Sequence, residues 1–317
     1  MGQHSDNSGP KDLDSPITSP AQDLEDSTRS TARRSRVQIV DDSELQPLSS
    51  RPSLGEYLRQ LHSRRHFIMA DARKRSFKTG QDMFLGRLWL VLQPLLEVSV
   101  YILIFGIILN VSRGIEHFVS YLIIGVVFFR FVARGINSGS GLIQSSKGMI
   151  SSFKFPRAAL VLSKVLNQFL ENAIPALIAV ILAVSLLIPE PPNWTIVLII
   201  PIYILLHIFI LGVVFIVARL TAFVPDIKSL ISLVTRALFF TSGIFFSLER
   251  FDGNPTLHAI MQGNPVYQFL TAAREVTIYG SIPTLETTLT IIGWTFGLLI
   301  LGGLYFWRAE ERYTSVS

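Results

Sequence analysis

Six stretches of this chain, 88–109, 119–136, 165–188, 195–218, 229–248 and 288–307, are apolar with few interruptions. Each approaches the run of about 20 residues that a helix rising about 1.5 Å per residue needs to cross the hydrocarbon layer of a bilayer. The composition agrees: 49% hydrophobic against 16% charged residues suits a bilayer better than a water-exposed globule. The expectation is an all-α polytopic membrane protein with six transmembrane helices across 88–307.

The polar residues inside the runs are few enough to name. Gln93, Pro94 and Glu97 interrupt the first, Arg130 and Arg134 the second, Glu171 and Pro175 the third and Arg236 the fifth. In the sixth, Gly293 and Gly297 make a GxxxG spacing that lets two helices approach closely. Ionisable side chains at membrane depth are costly and are usually paired or functional. Glu97 sits roughly 14 Å into the first run. Arg130, in a run that descends from the other side, lies at a similar depth, so the two can pair; Arg236 is the other available base. Two acids and two bases read first as mutual neutralisation. Glu97 and Glu171 would instead be proton carriers if the chain were an ion-coupled secondary transporter.

The segments outside the runs set the orientation. Residues 1–50 hold thirteen Ser or Thr, four Pro and nine acids against five bases, with almost no apolar periodicity. They cannot bury enough surface to offset chain entropy and are expected to form a disordered tail. No apolar core near Met1 suggests a cleaved signal, and Asp6 stands where a myristoylation signal at Gly2 wants Ser or Thr. In 51–87, Ser53 and Glu56 have capping-box spacing, and Leu54, Tyr57, Leu58, Leu61, Ile68 and Met69 fall on one side of a helix. Nine bases, Arg64 and Arg65 among them, against three acids leave 51–88 with a net charge of +6. Such a segment rests on anionic headgroups, each base contributing on the order of 1 kcal/mol. Together with 134–164, which carries five bases and no acid, it belongs in the cytoplasm. Six spans then place both termini there, including the tail 308–317.

Two connections are patterned beyond what a linker needs. Leu142, Ile143, Met149, Ile150 and Phe153 recur at about helical spacing beside Lys147 and Lys154, and Phe155-Pro156-Arg157 ends the pattern. This describes a short amphipathic helix to which a soluble partner can dock. Between the fifth and sixth runs, 249–287 carries apolar pieces too short to cross, separated by Gly263-Asn264-Pro265. They suggest re-entrant helices, and irregular backbone at membrane depth either lines a wet cavity or is packed in protein. A pathway is expected near 263–280.

Motifs for chemistry are missing. There is no GxxxxGK[ST] phosphate loop, since the glycine cluster from Gly135 to Gly141 lacks the lysine, and no GxSxG, aspartate-rich metal motif or paired histidine ligands. Cysteine is absent. The expectation is a transport subunit with no catalytic, cofactor or metal site of its own and no nucleic-acid partner, driven from elsewhere.

Order and spacing resemble one family. The basic amphipathic helix, Leu85-Gly86-Arg87-Leu88-Trp89 opening a span with Pro94, the segment from Leu142 to Arg157, Asp226 before the fifth span, and Asn264-Pro265 with Arg274 are similar to ABC-2 type permeases that export O-antigen, teichoic acid and related lipid-linked polysaccharides. The resemblance runs from Pro52 to the C-terminus. It departs where members carry Arg-Asp before the fifth span, because Pro225 precedes Asp226 here, so no role for that arginine is carried over. The acidic, Ser-rich extension points within the family to the actinobacterial exporters of lipid-linked galactan. The resemblance implies a homodimer in the cytoplasmic membrane, bound to two copies of a separate ATPase that holds ATP and Mg, and exporting a polyprenyl-linked glycan. It implies that Lys147, Met149, Ile150, Phe153, Pro156 and Arg157 meet the ATPase across a coupling helix. It also implies that the interface helix, with Tyr57, Leu58, Leu61, Arg64 and Arg65, flanks the substrate's entrance. Phe128, Phe129, Phe131, Phe239, Phe240, Phe245 and Phe246 are candidates for the path, since a flat apolar ring stacks on sugar C–H groups. Export of small molecules by the same kind of machine is the alternative within that class.

Overall fold

The structure is a computed structural model that describes residues 52–78, 88–108, 115–152, 155–187, 192–248 and 253–315. The expected tail 1–50 lies outside the described residues, as do 79–87 of the basic segment and the docking candidate Phe153 with its neighbour Lys154. All regular structure among the described residues is helical.

At the basic end of the bundle, α1 (Leu54–Ser63) and α2 (Arg65–Lys78) meet at Arg64, whose φ of −90° and ψ of 8° break what the spacing predicts as one helix. Ser53 caps α1 by accepting from the Glu56 amide at 3.3 Å, while the Glu56 carboxylate accepts from Gln60 at 3.1 Å. Tyr57, Ile68 and Ala72 turn inward, and Leu58 stays 61% exposed.

The apolar runs become a bundle. α3 (Trp89–Tyr101) continues as a π-helix over Ile102–Ile108. Among the described residues, four helical segments are long and apolar enough to cross a membrane: α4 (Phe118–Gly139), α7 (Ala158–Ser185), α8 (Ile199–Phe223) with the 3₁₀ turn Trp194–Leu198 before it, and α12 (Leu285–Trp307). Between α4 and α7 lie α5 (Leu142–Ser145) and α6 (Lys147–Ser152), broken from one another at Ser146. After α8 come α9 (Ile227–Thr241), α10 (Pro255–Gly263) and α11 (Pro265–Thr277), and a 3₁₀ turn, Glu310–Ser315, follows α12.

α4 is the hub. It packs against α3, α7, α8, α9 and α11. It is apolar on nearly all sides, as a helix buried on all sides must be, with Leu122, Ile124 and Val132 fully covered. α12 is the opposite case, pressed against α8 along one stripe and presenting Leu289, Ile300 and Leu301 outward. The close approach between α8 and α12 is made at Gly212 and Gly302: a Cβ on Gly212 would stand 2.6 Å from the Leu298 carbonyl carbon and 2.7 Å from the Leu299 nitrogen. The expected GxxxG pair serves no such contact within this chain, because Gly293 and Gly297 face open space.

Two of the expected spans have different limits. α7 begins at Ala158 rather than at 165, because Ala158, Ala159, Leu160 and Val161 are covered by protein beside α2 and need no apolar run to be buried. α9 has 15 residues and stops at Thr241, where Ser242 is followed by Gly243 in the left-handed region at φ 65°. The residues after it fold back: Tyr121 Oη donates to the Gly243 carbonyl at 2.9 Å and to the Phe246 carbonyl at 2.7 Å.

The expected re-entrant pieces are α10 and α11. At 13 residues α11 reaches about 20 Å, short of a crossing, and it is surrounded by α4, α8 and α12. Asn264 explains the Asn-Pro break: its Oδ1 accepts from the Val266 amide at 3.0 Å, its Nδ2 donates to the Thr241 carbonyl at 3.2 Å, and Pro265 takes the first helical position, where no amide is needed.

Candidate functional site: a charged and aromatic cavity beside α4

Three helix faces converge on one cavity. On α3, Glu97 and Tyr101 stand four residues apart and so share a face, and Phe105 follows in the π-helix that continues it. On α4 the facing stripe is Val126, Phe129, Arg130, Ala133 and Asn137, and on α9 it is Ser232, Thr235, Arg236 and Phe239. Together they line an open groove with a volume of about 470 Å³.

One side of it is charged. Arg130 Nη1 lies 2.8 Å from Glu97 Oε1, with the side chains 27% and 42% exposed. That nitrogen is buried and has no aligned hydrogen-bond acceptor, so the contact is one of charge more than of directed bonding. Arg236 borders the same space from α9 and is exposed, so the two arginines outnumber the one carboxylate. Asn137, Ser232 and Thr235 add neutral polar groups.

The other side is aromatic. Phe239 meets Phe129 edge-on at 5.2 Å, Tyr101 at 5.5 Å and Phe245 at 5.4 Å, and Phe105 stacks on Phe245 at 4.1 Å. Phe240, 56% exposed, extends the cluster at 5.2 Å from Phe239. Tyr101 and Phe105 are missed when α3 is read only as an apolar run; the four-residue spacing from Glu97 is the signal that marks Tyr101. Phe128 and Phe131 point the other way, 5.4 Å apart, with Phe131 against Tyr203 and His207 in the core. Phe246 is half-buried, and its carbonyl is held by Tyr121.

Glu171 is not part of this cavity. It pairs with Arg134, not with Arg130 or Arg236, because α4 and α7 pack side by side and Arg134 lies one turn nearer the basic end. Asn167 donates to Glu171 Oε1 at 3.1 Å, and Gln168 donates to the Arg134 carbonyl at 3.1 Å. Glu171's side chain is 1% exposed while Arg134's is 38% exposed, so the pair is buried on its acidic side and open on its basic side.

At the basic end, the segment expected to dock a partner shows two faces. Ile150 and Pro156 are buried and Met149 is half-buried against the core, so they anchor the segment; Lys147, Gly148, Ser151 and Ser152 form its exposed face. Arg157 is half-buried, and Arg64 and Arg65 are exposed on the neighbouring helices. Leu61 lines a cleft of about 420 Å³ with Leu58, His62, Arg65, Ile68, Met69, Leu162 and Leu166. At the far end, a second cavity of about 330 Å³ is bordered by Tyr267, Thr271, Arg274, Glu275 and Tyr279, within the expected stretch 263–280. Arg274 is buried there, its guanidinium 3.4 Å from the Tyr121 ring, Nε donating to the Tyr121 carbonyl at 3.2 Å and Nη1 to the Gly243 carbonyl at 3.0 Å. It clamps the turn after α9, and Gly125 leaves the room its guanidinium fills.

The family model of the ABC-2 type transporter matches residues 72–278, which is 207 of the 317 residues. The chain belongs to the ABC-2 type transporter family. Members are the membrane-embedded transport subunits of systems whose ATPase is a separate subunit. The matched span of this ABC-2 type transporter runs from within α2 to just past α11, and so takes in the cavity between α3, α4 and α9, the α5–α6 segment, and the residues named for the second cavity except Tyr279. It is also similar to the O-antigen export system permease protein RfbA of Myxococcus xanthus, 20% identical over 257 residues, covering 81% of this chain and 97% of that protein.

Proposed function

We propose that this ABC-2 type transporter is the permease of an exporter that moves a lipid-linked polysaccharide across the cytoplasmic membrane, as a homodimer bound to two copies of an ABC ATPase. The similarity to an O-antigen export permease supports the substrate class, and the cavity between α3, α4 and α9 carries the reading. Arg236 stands nine residues beyond Ile227 on an exposed face, about 14 Å along the helix. An arginine facing lipid at that depth costs about 2.5–3.5 kcal/mol on insertion scales, so this face meets water or protein. A second copy set against it would turn an open groove into a lined passage. Rings of Tyr101, Phe129 and Phe239 offer faces for sugar C–H groups, and Asn137, Ser232 and Thr235 offer partners for hydroxyls.

On this reading the basic end faces the cytoplasm and six passages place both termini there, with α9 and the turn after it supplying the fifth. The ATPase, which holds ATP and Mg, presses on the exposed face of α6, and α1 with its exposed Leu58 lies at the lipid surface where substrate arrives. Depletion of the chain is expected to trap lipid-linked glycan on the cytoplasmic side. Phe239→Ala should reproduce the trapping while the ATPase still co-purifies; unchanged surface glycan in depleted cells contradicts the proposal.

A further inference from the structure

Beyond α12 the chain has no need to bury charge, yet Glu310 is 2% exposed. A carboxylate in a surface tail loses nothing by staying in water, whereas its burial requires donors for its oxygens. Glu310 has three. Tyr57 Oη of α1 donates to Oε2 at 2.8 Å; the Arg157 amide donates to Oε1 at 2.8 Å, and Arg157 Nη1 donates to the same oxygen at 3.2 Å. The Tyr57 hydroxyl in turn accepts from the Ala158 amide at 3.1 Å.

The amides of Arg157 and Ala158 open α7, where the first turn of a helix leaves its N–H groups without internal acceptors. No side chain from Arg157 caps α7. Glu310 and Tyr57 supply the caps from distant segments, and the negative charge lies at the end of the helix dipole that favours it. The connection is reinforced on both sides. Trp307 Nε1 donates to the Pro52 carbonyl at 3.3 Å, Tyr313 stacks on Phe306 at 4.7 Å, and the turn Glu310–Ser315 packs against α6.

We infer that the C-terminal turn is the link between α6 and α1, with Glu310 as the positioning residue that makes α1, the start of α7 and α6 move together. A push on α6 then reaches the lipid-surface helix without passing through the span of α4 or α7. The inference rests on the proposed docking of an ATPase at α6, and its test separates the two. Because the chain has no cysteine, spin labels can be placed at Arg59→Cys on α1, at Ser152→Cys on α6 and, as reference, at Leu289→Cys on α12. Distances to the reference are measured in nanodiscs on the complex with its ATPase, without nucleotide and with ATP and vanadate. In the parent both distances change. In Glu310→Gln the α6 distance changes as before, while the α1 change falls to less than half; a full α1 change overturns the inference. If Glu310→Gln does not assemble, Tyr57→Phe, which keeps the ring and removes one donor, is read in the same way. An α6 that ignores ATP in the parent defeats the docking reading instead. The link is then tested on the permease alone by hydrogen exchange: Glu310→Gln should exchange about tenfold faster at Arg157, Ala158 and α1 together, the loss expected for bonds to a charged group. Unchanged protection of α1 overturns it.

Discussion

Glu97 and Arg130 stabilise one another at a depth where either alone is a liability. Glu97→Gln leaves Arg130 without its counter-charge, and Arg130→Gln in the same chain should recover most of the loss. Since both side chains are partly exposed, the coupling should be on the order of 1 kcal/mol, between exposed and fully buried pairs. A double-mutant cycle of unfolding in detergent measures it, and additive losses would show that the contact contributes nothing. Glu310 behaves differently. Burial, the largest influence, pushes its carboxyl above the usual carboxylate range, against the downward pull of Arg157 and Tyr57; Tyr313 also faces it. The folded state therefore binds this proton more readily than the unfolded chain. Acidification through the raised value adds stability, and raising the pH above it removes that increment. Glu310→Gln should flatten this part of the stability profile, as thermal unfolding over a pH series would show; an unaltered slope would assign it to other groups. At this scale the sequence was partly legible. The Glu97–Arg130 pairing follows from matching depths on adjacent antiparallel runs, whereas Glu171 joins Arg134 and Glu310 joins Tyr57 through packing that no local spacing encodes.

Helices were legible where one residue pattern decided them. The apolar runs mark α4, α8 and α12 to within a few residues, Ser53 marks the start of α1, and Asn264-Pro265 marks the break between α10 and α11. The start of α7 was not legible in the same way, because its first turns are covered by α2 and not by lipid. Nor was the end of α9, which depends on Gly243 folding back to Tyr121 and Arg274. The aromatic wall was half legible: Phe129, Phe239, Phe240 and Phe245 stand out as phenylalanines, but Tyr101 and Phe105 join them only through α3 and the π-helix that continues it. The glycines show the same division. A GxxxG spacing is visible in α12, yet the pair that touches is Gly302 with Gly212. Gly212→Ala forces a Cβ onto the backbone of Leu298 and Leu299 and should destabilise by about 1–3 kcal/mol, while Gly293→Ala, facing open space, should stay within about 0.5 kcal/mol. Equal effects in unfolding of the purified permease would place the crossing elsewhere.

From residue 52 onward the described residues form a bundle around α4, with the α5–α6 segment and a hydrogen-bonded C-terminal turn at its basic end and the short helices α10 and α11 at the other. Its topology has a direct check. A reporter fused after Ser317 should be active only in the cytoplasm; activity outside would remove the six-passage reading. Docking is checked on the exposed face of α6, where Lys147→Glu with Ser151→Asp should release the ATPase without altering the thermal stability of the permease. Retained co-purification would move the docking site.

The central claim is ATP-driven passage of a lipid-linked glycan along the α3–α4–α9 face. It is tested most directly in proteoliposomes holding the chain with its ATPase and polyprenyl-linked glycan extracted from chain-depleted cells. ATP should render the glycan accessible to a glycosidase on the face opposite the ATPase, and Tyr101→Ala with Phe239→Ala should abolish this. Glycan that stays on the ATPase side, or that crosses in response to a proton gradient regardless of ATP, would contradict the account.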